Sequence, residues 1–159
     1  MTGAGVKIAP LSEAHMRELA DLWVAAWTRT MPQIDFEARR PWLAAHLQGL
    51  HQQAYVTRCA LEATGALVGF VTLQPRSGEL DQIAVAPRAA RRGLGRLLLA
   101  EARALAPGLI TLTVNQDNGP ALRFYEREGF VRIGEGVNAM SGLKTLRMEW
   151  RALREESPI

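Results

Sequence analysis

At 159 residues, with 48% hydrophobic and 22% charged side chains, the chain has the size and mix of one soluble globular domain with its own core, which excludes a disordered or fibrous protein. No apolar run approaches the roughly 20 residues of a membrane-spanning helix, no basic-then-apolar leader opens the sequence, and the single Cys59 excludes an internal disulfide and suits a reducing cytoplasm. The net charge of +3 rests on Arg, since Lys7 and Lys144 are the only lysines; that excess would serve nucleic acid or a small polyanion equally.

In chain order, residues 6–8 read as a short strand closed by Pro10. Ser12 is placed to cap a helix that carries Leu19, Leu22, Trp23 and Ala26 on one face and ends at Met31-Pro32. Asp35 is placed to cap a second helix, interrupted at Pro41 and continuing through Leu43, Leu47 and Leu50. Residues 55–62 and 67–74 read as a hairpin around Ala63-Thr64-Gly65. Residues 79–85 form the next strand, with Ile83 and Val85 two apart, and Pro87 stops it because it has no N–H to donate. Beyond the glycines at 93 and 95, Leu94, Leu97, Leu98, Ala102 and Leu105 fall on one helical face. Residues 109–114 are a compact apolar strand. Asn118 caps a helix that runs to Glu128, with Pro120 in its first turn. Residues 130–133 and 145–150 are the last two strands, with 134–142 as the hairpin connection between them. The pattern predicts one mixed α/β domain with helices on both faces of a single sheet.

The stretch from 79 to 106 organises this order. A strand, a basic glycine turn and then a helix leave the first helix amides unpaired, and the helix dipole favours an anion in front of them. Arg91, Arg92 and Arg96 add formal charge there. A phosphate or pyrophosphate pocket follows, competing with an ordinary strand-to-helix turn. Neither familiar nucleotide fingerprint fits: Gly95 is followed by Arg96-Leu97 rather than Lys-Ser or Lys-Thr, and Leu98 stands where a dinucleotide fold needs its third glycine.

Val85, Pro87, Gly93 and Gly95 resemble motif A of the GNAT superfamily, the acyl-CoA-dependent N-acyltransferases, with Ala90 where the family has Gln or Arg. Asn118, Ala121, Phe124, Tyr125, Gly129 and Phe130 resemble the family's second motif, N-x-x-A-x-x-[LF]-Y-x-x-x-G-F, one strand and one helix later. The resemblance covers nearly the whole chain. It implies a single GNAT domain over residues 1–159, a mixed sheet with helices on both faces, and a V-shaped splay between two central parallel strands, 79–85 and 109–114. It also implies that acetyl-CoA (coenzyme A) lies in the splay. Ile83, Ala84, Val85, Arg91, Arg92, Gly93, Leu94, Gly95, Arg96, Asn118 and Tyr125 would then be its contacts, with the pyrophosphate held largely by backbone.

Acyl transfer to an amine needs a neutral amine, a polarised thioester carbonyl and a protonated leaving sulfur. An alkylammonium has a pKa near ~10.4, so a base must take its proton at neutral pH. By resemblance that base is a carboxylate on the central strand. Glu79 stands at the family position, Asp81 shares its strand parity if no bulge intervenes, and a water chain or the substrate's own equilibrium is the alternative. The Val85 N–H would polarise the carbonyl. Tyr125, un-ionised at neutral pH, would protonate the sulfur, against the alternative of a packing aromatic. Asn118 would cap its helix and bond the pantetheine arm.

By the same resemblance, Trp27, Met31 and Phe36 lie near a loop that closes over the acceptor, faced by Asn138 and Met140. Trp23, Trp27 and Trp42 otherwise read as core, and Cys59 as a small core residue. His15, His46 and His51 read as helix surfaces or ends without ligand spacing, so no metal is expected. The expected acceptor is a small primary amine, with a protein N-terminus or lysine as the alternative. A coenzyme A-binding module without turnover is the competing reading, and a nucleic-acid binder ranks last because the arginines do not form an aromatic-studded basic face. No nucleic acid or membrane partner is expected, and the state is monomer or homodimer.

Overall fold

The computed structural model describes residues 5–153; the expected domain span of 1–159 runs past that at both ends. Among the described residues, seven strands and four α-helices follow one another in the expected order. The strands are β1 (Lys7–Pro10), β2 (Val56–Leu61), β3 (Leu67–Leu73), β4 (Leu80–Val85), β5 (Leu109–Asn115), β6 (Val131–Val137) and β7 (Lys144–Arg151). The helices are α1 (Met16–Thr30), α2 (Arg40–Gln52), α3 (Leu94–Leu105) and α4 (Gly119–Arg127).

The expected single sheet is divided. β1-β2-β3-β4 form one antiparallel ladder and β5-β7-β6 another, and the two meet through a parallel bridge between Glu79 and Thr111. The Thr111 N–H donates to the Gly78 carbonyl at 3.0 Å at the same junction. Gly78 is fixed there by sterics. Its φ is +77°, and a Cβ would collide with the Leu109 carbonyl oxygen, so only glycine lets the two strands touch. Past this point no ladder joins β4 to β5, and the strands part into the expected splay.

All seven residues of β3 are buried, because α1 and α3 both pack on β3 and β4. Gly69 lies directly under Leu98 of α3, while Thr72 and Thr57, on the face toward α2, pass a hydrogen bond to His51. Leu98, Leu99 and Ala102 of α3 are fully buried, each leucine contributing about 2 kcal/mol from area alone. Cys59 is fully buried mid-strand, and burial pushes its thiol up to about 12, as for an inert core residue.

Four local expectations need correction. Pro41 does not interrupt the second helix; it sits in the first turn of α2, where its missing N–H has no partner to lose, and Asp35 instead caps a preceding 3₁₀ turn through Ala38 N–H. Ser12 makes no side-chain cap bond to the backbone and pairs with His15. Pro10 lies within edge strand β1 rather than beyond it, a position that tolerates a missing donor. Gly134 and Gly136 belong to β6, which pairs with β7 as far as Val137, so the connection is only 138–143.

Candidate functional site

Between the parted ends of β4 and β5 lies a cavity of about 380 Å³. Its walls come from β4 and β5, its floor includes Tyr125 of α4, and α1, α2 and the 138–143 connection close the other side. A second cavity of about 260 Å³ adjoins it, running along Ile83, Ala84 and Val85 toward Pro87 and Ala90. Trp27, Ile83 and Asn118 line both, which makes one groove from Pro87 and Ala90 to the interior.

The edge of β4 facing the groove is unpaired. The Ala86 N–H bonds the Val68 carbonyl on β3. Alternation along an antiparallel strand therefore turns the main-chain groups of Ile83 and Val85 away from β3, into the splay. At the far end, Ala90 N–H bonds Pro87 and Leu97 N–H bonds Gly93. Among the described residues, the N–H groups of Arg91, Arg92, Gly93, Leu94, Gly95 and Arg96 between them have no protein partner. Gly93 caps α3 at φ +75° and Arg91 is at φ +68°, two left-handed residues of the kind that curl a chain into a concavity suited to an anion. For Arg91, which has a Cβ, this conformation costs roughly 1 kcal/mol, a strain typical of ligand sites.

The side chains of that turn are placed less simply than their charge suggests. Arg88 and Arg92 both bind Glu62, at 3.0 and 2.8 Å, and hold its carboxyl below the usual range, while Arg96 lies 3.6 Å from Glu128. Leu94 faces the core, Gly95 lies against the Phe124 ring and Ala90 is exposed. Arg91 is exposed and has no ion pair among the described residues, so the turn offers main chain and one uncommitted guanidinium.

The two carboxylates expected on one side of the central strand are separated. The β3–β4 register pairs Thr72 with Gln82 but Leu73 with Leu80, so Asp81 is the extra residue of a β-bulge. A bulge re-aims its side chain. Asp81 lines the cavity, whereas Glu79 does not: its carboxylate takes Arg147 at 2.9 Å and the Thr111 hydroxyl at 3.0 Å beside the bridge. His46 of α2 reaches Asp81 from the opposite wall, its Nε2 3.0 and 3.1 Å from the two carboxylate oxygens. Because an ionised carboxylate only accepts, Nε2 carries the hydrogen. Burial is the main influence on the Asp81 carboxyl and raises it; His46 opposes this and Glu79 adds to it.

Tyr125 is buried and lines the cavity, held edge-to-face by Phe124 and Phe130 at 5.3 and 5.4 Å. Burial pushes its phenol up to about 12, so it remains a proton donor across neutral pH. Asn118 caps α4 by accepting from the Ala121 N–H through its Oδ1 at 3.3 Å, and the residue lines both cavities.

Trp27, Met31 and Phe36 line the cavity, Trp27 stacking on Phe36 at 5.7 Å and Met31 buried with its sulfur 3.7 Å from Asn115 Nδ2. Asn138 also lines it, but its Oδ1 is spent on the N–H groups of Met140 and Ser141, shaping the turn. Trp42 is not core: it is 39% exposed at the cavity wall and stacks on His46 at 4.5 Å. Sequence reasoning missed His46 because its partner is 35 residues away. The one available signal was that Arg39, Trp42 and His46 recur at helical spacing.

Residues 14–130 match the family model described as the Acetyltransferase (GNAT) family. The chain is 31% identical over 146 residues to the peptidyl-lysine N-acetyltransferase YiaC of Escherichia coli, covering 88% of this chain and 95% of that one. Among solved structures, the PaiA N-acetyltransferase of Thermoplasma acidophilum in complex with coenzyme A superposes with a TM-score of 0.75 at 20% identity, over 95% of this chain and 99% of that one. The solution structure of apo YjaB from Escherichia coli gives 0.73 at 23%, over 93% and 99%.

Proposed function

Since this chain belongs to the GNAT acetyltransferase family, we propose that it transfers the acetyl group of acetyl-CoA to a small primary amine, by direct attack while both are bound. The observation that carries this reading is the continuous groove. It begins at Pro87 and Ala90, just before the six unpaired amides in the chain, follows the free edge of β4 and reaches the cavity that Asp81 and Tyr125 line.

Acetyl-CoA supplies a thioester and a pyrophosphate. The amides of 91–96 and the dipole of α3 suit the pyrophosphate, and Asn118 with the main chain of Ile83 and Val85 suits the amide-bearing arm. Asp81, held by His46, binds the ammonium and accepts its proton, freeing the nitrogen lone pair to form the bond to the acetyl carbon. The Val85 N–H points at the carbonyl oxygen as charge develops there. Tyr125 gives its proton to the sulfur as the C–S bond breaks; the nitrogen, now bonded to the acetyl carbon, gives up its second proton, which restores the phenol by way of solvent, and Asp81 releases the first to water, leaving an N-acetyl amide and coenzyme A. Ordering both reactants in one cavity removes the entropy of their encounter, which supplies much of the rate.

The name of the E. coli relative favours a second reading, a lysine side chain of a protein. Thiol release from acetyl-CoA, followed with a panel of small primary amines and a lysine-bearing peptide, tests both. Amine-dependent release with the small amines is expected; release with the peptide alone would favour the second reading, and release with no amine would overturn the activity.

A further inference from the structure

The acceptor end of the cavity carries one formal charge of each sign. Asp81 is the only carboxylate among its lining residues and Arg39 the only guanidinium. Arg39 lies over the Phe36 ring at 5.4 Å, and no carboxylate among the described residues neutralises it. Asp21 and Glu37 are both taken by the neighbouring Arg40, at 2.7 Å each. A half-buried, unpaired guanidinium on a cavity wall is a ready partner for an anion, because a bidentate pair there is charge-assisted and partly desolvated.

Spacing then sets the shape of that anion's carrier. Arg39 at the start of α2, Trp42 and His46 are three and seven residues apart, which places them on one stripe of the helix. Two turns separate the guanidinium end from the His46–Asp81 end, about 10 Å along the axis. Between the two poles the wall is aromatic: Trp42 stacks on His46 and lies 6.0 Å from Trp23, which meets Phe36 at 5.5 Å.

Building on the acetyltransferase reading, we propose that the acceptor is an elongated amino carboxylate. Its amine is held at Asp81, its carboxylate at Arg39, and the apolar or aromatic spacer between them lies on Trp42 and Phe36. The same arrangement excludes polyamines, whose second ammonium would lie against Arg39 with no carboxylate to receive it.

The test uses para-aminomethylbenzoate, its uncharged carboxamide and para-xylylenediamine as acceptors, with acetyl-CoA binding measured separately by calorimetry. The native enzyme is expected to prefer the acid over the carboxamide by at least about tenfold in kcat/KM (~1.4 kcal/mol), chiefly through KM, since the carboxamide cannot form the charge-assisted pair. In Arg39→Met that ratio should fall to about one, and in Arg39→Glu the diamine should overtake the acid. Unchanged calorimetric affinity for acetyl-CoA would show both variants folded. Equal use of acid and carboxamide by the native enzyme overturns the inference, as does an acid preference that survives both substitutions. Failure to acetylate any of the three while acetyl-CoA still binds also overturns it, leaving the cofactor reading intact. No binding of acetyl-CoA would instead sink the acetyltransferase reading, and this inference with it.

Discussion

Asp81→Asn is expected to lower kcat/KM by about a hundredfold or more, the usual range for loss of a general base, equivalent to ~2.7 kcal/mol of transition-state stabilisation. Asparagine keeps the size of the side chain and an oxygen to accept from His46 Nε2, so the bulge and the His46 contact survive. The control is Glu79→Gln. Glu79 serves the junction between the two sheets through Arg147 and Thr111, so this change should register first in thermal stability. A pH profile separates the two. Burial raises the Asp81 carboxyl above the ordinary aspartate value, and the base works only when ionised, so activity should fall as pH drops through that raised value. The acid limb should vanish in Asp81→Asn and persist in Glu79→Gln. A profile in which Glu79→Gln erased the limb would return the base role to Glu79.

Tyr125→Phe is expected to cut kcat by roughly tenfold to a hundredfold with little change in affinity for acetyl-CoA, as befits a group that acts only when sulfur departs. The ring's edge-to-face contacts with Phe124 and Phe130 remain, so the melting temperature should hold within a few degrees. Since burial holds the phenol near 12, its ionisation cannot produce an alkaline limb below about pH 11 in the native enzyme. Stopped-flow or steady-state assays with a good and a poor thiol leaving group sharpen the test. The variant should lose more with the more basic thiolate, and equal losses would assign Tyr125 to packing alone.

The order of strands and helices was legible because it is written locally, in helical stripes such as Leu94, Leu98 and Ala102 and in breakers such as Pro87. The turn at Gly93 and the helix carrying Tyr125 were legible for the same reason, as short motifs whose residues lie close together in the chain. What the sequence hid was long-range. The bulge that swings Asp81 into the cavity depends on how β3 registers against β4, and no residue near Asp81 signals a skipped partner. The junction of the two ladders rests on a contact between Gly78 and Thr111, thirty-odd positions apart. His46 read as a helix surface because imidazoles usually are one; only folding brings it to Asp81. Charge misled in a similar way, since Arg92 and Arg96 are drawn toward Glu62 and Glu128, while Arg39, unremarkable in the sequence, has no carboxylate partner among the described residues.

The central claim is that the splay between β4 and β5, with the unpaired amides of 91–96 at its mouth, is a seat for the donor. Isothermal calorimetry with acetyl-CoA, repeated with dephosphorylated pantetheine thioester, tests it most directly. The expected result is saturable one-to-one binding of acetyl-CoA at micromolar levels, weakened at least about tenfold when the pyrophosphate is missing. Absence of heat for acetyl-CoA at millimolar concentration, or equal affinity for both compounds, would contradict it.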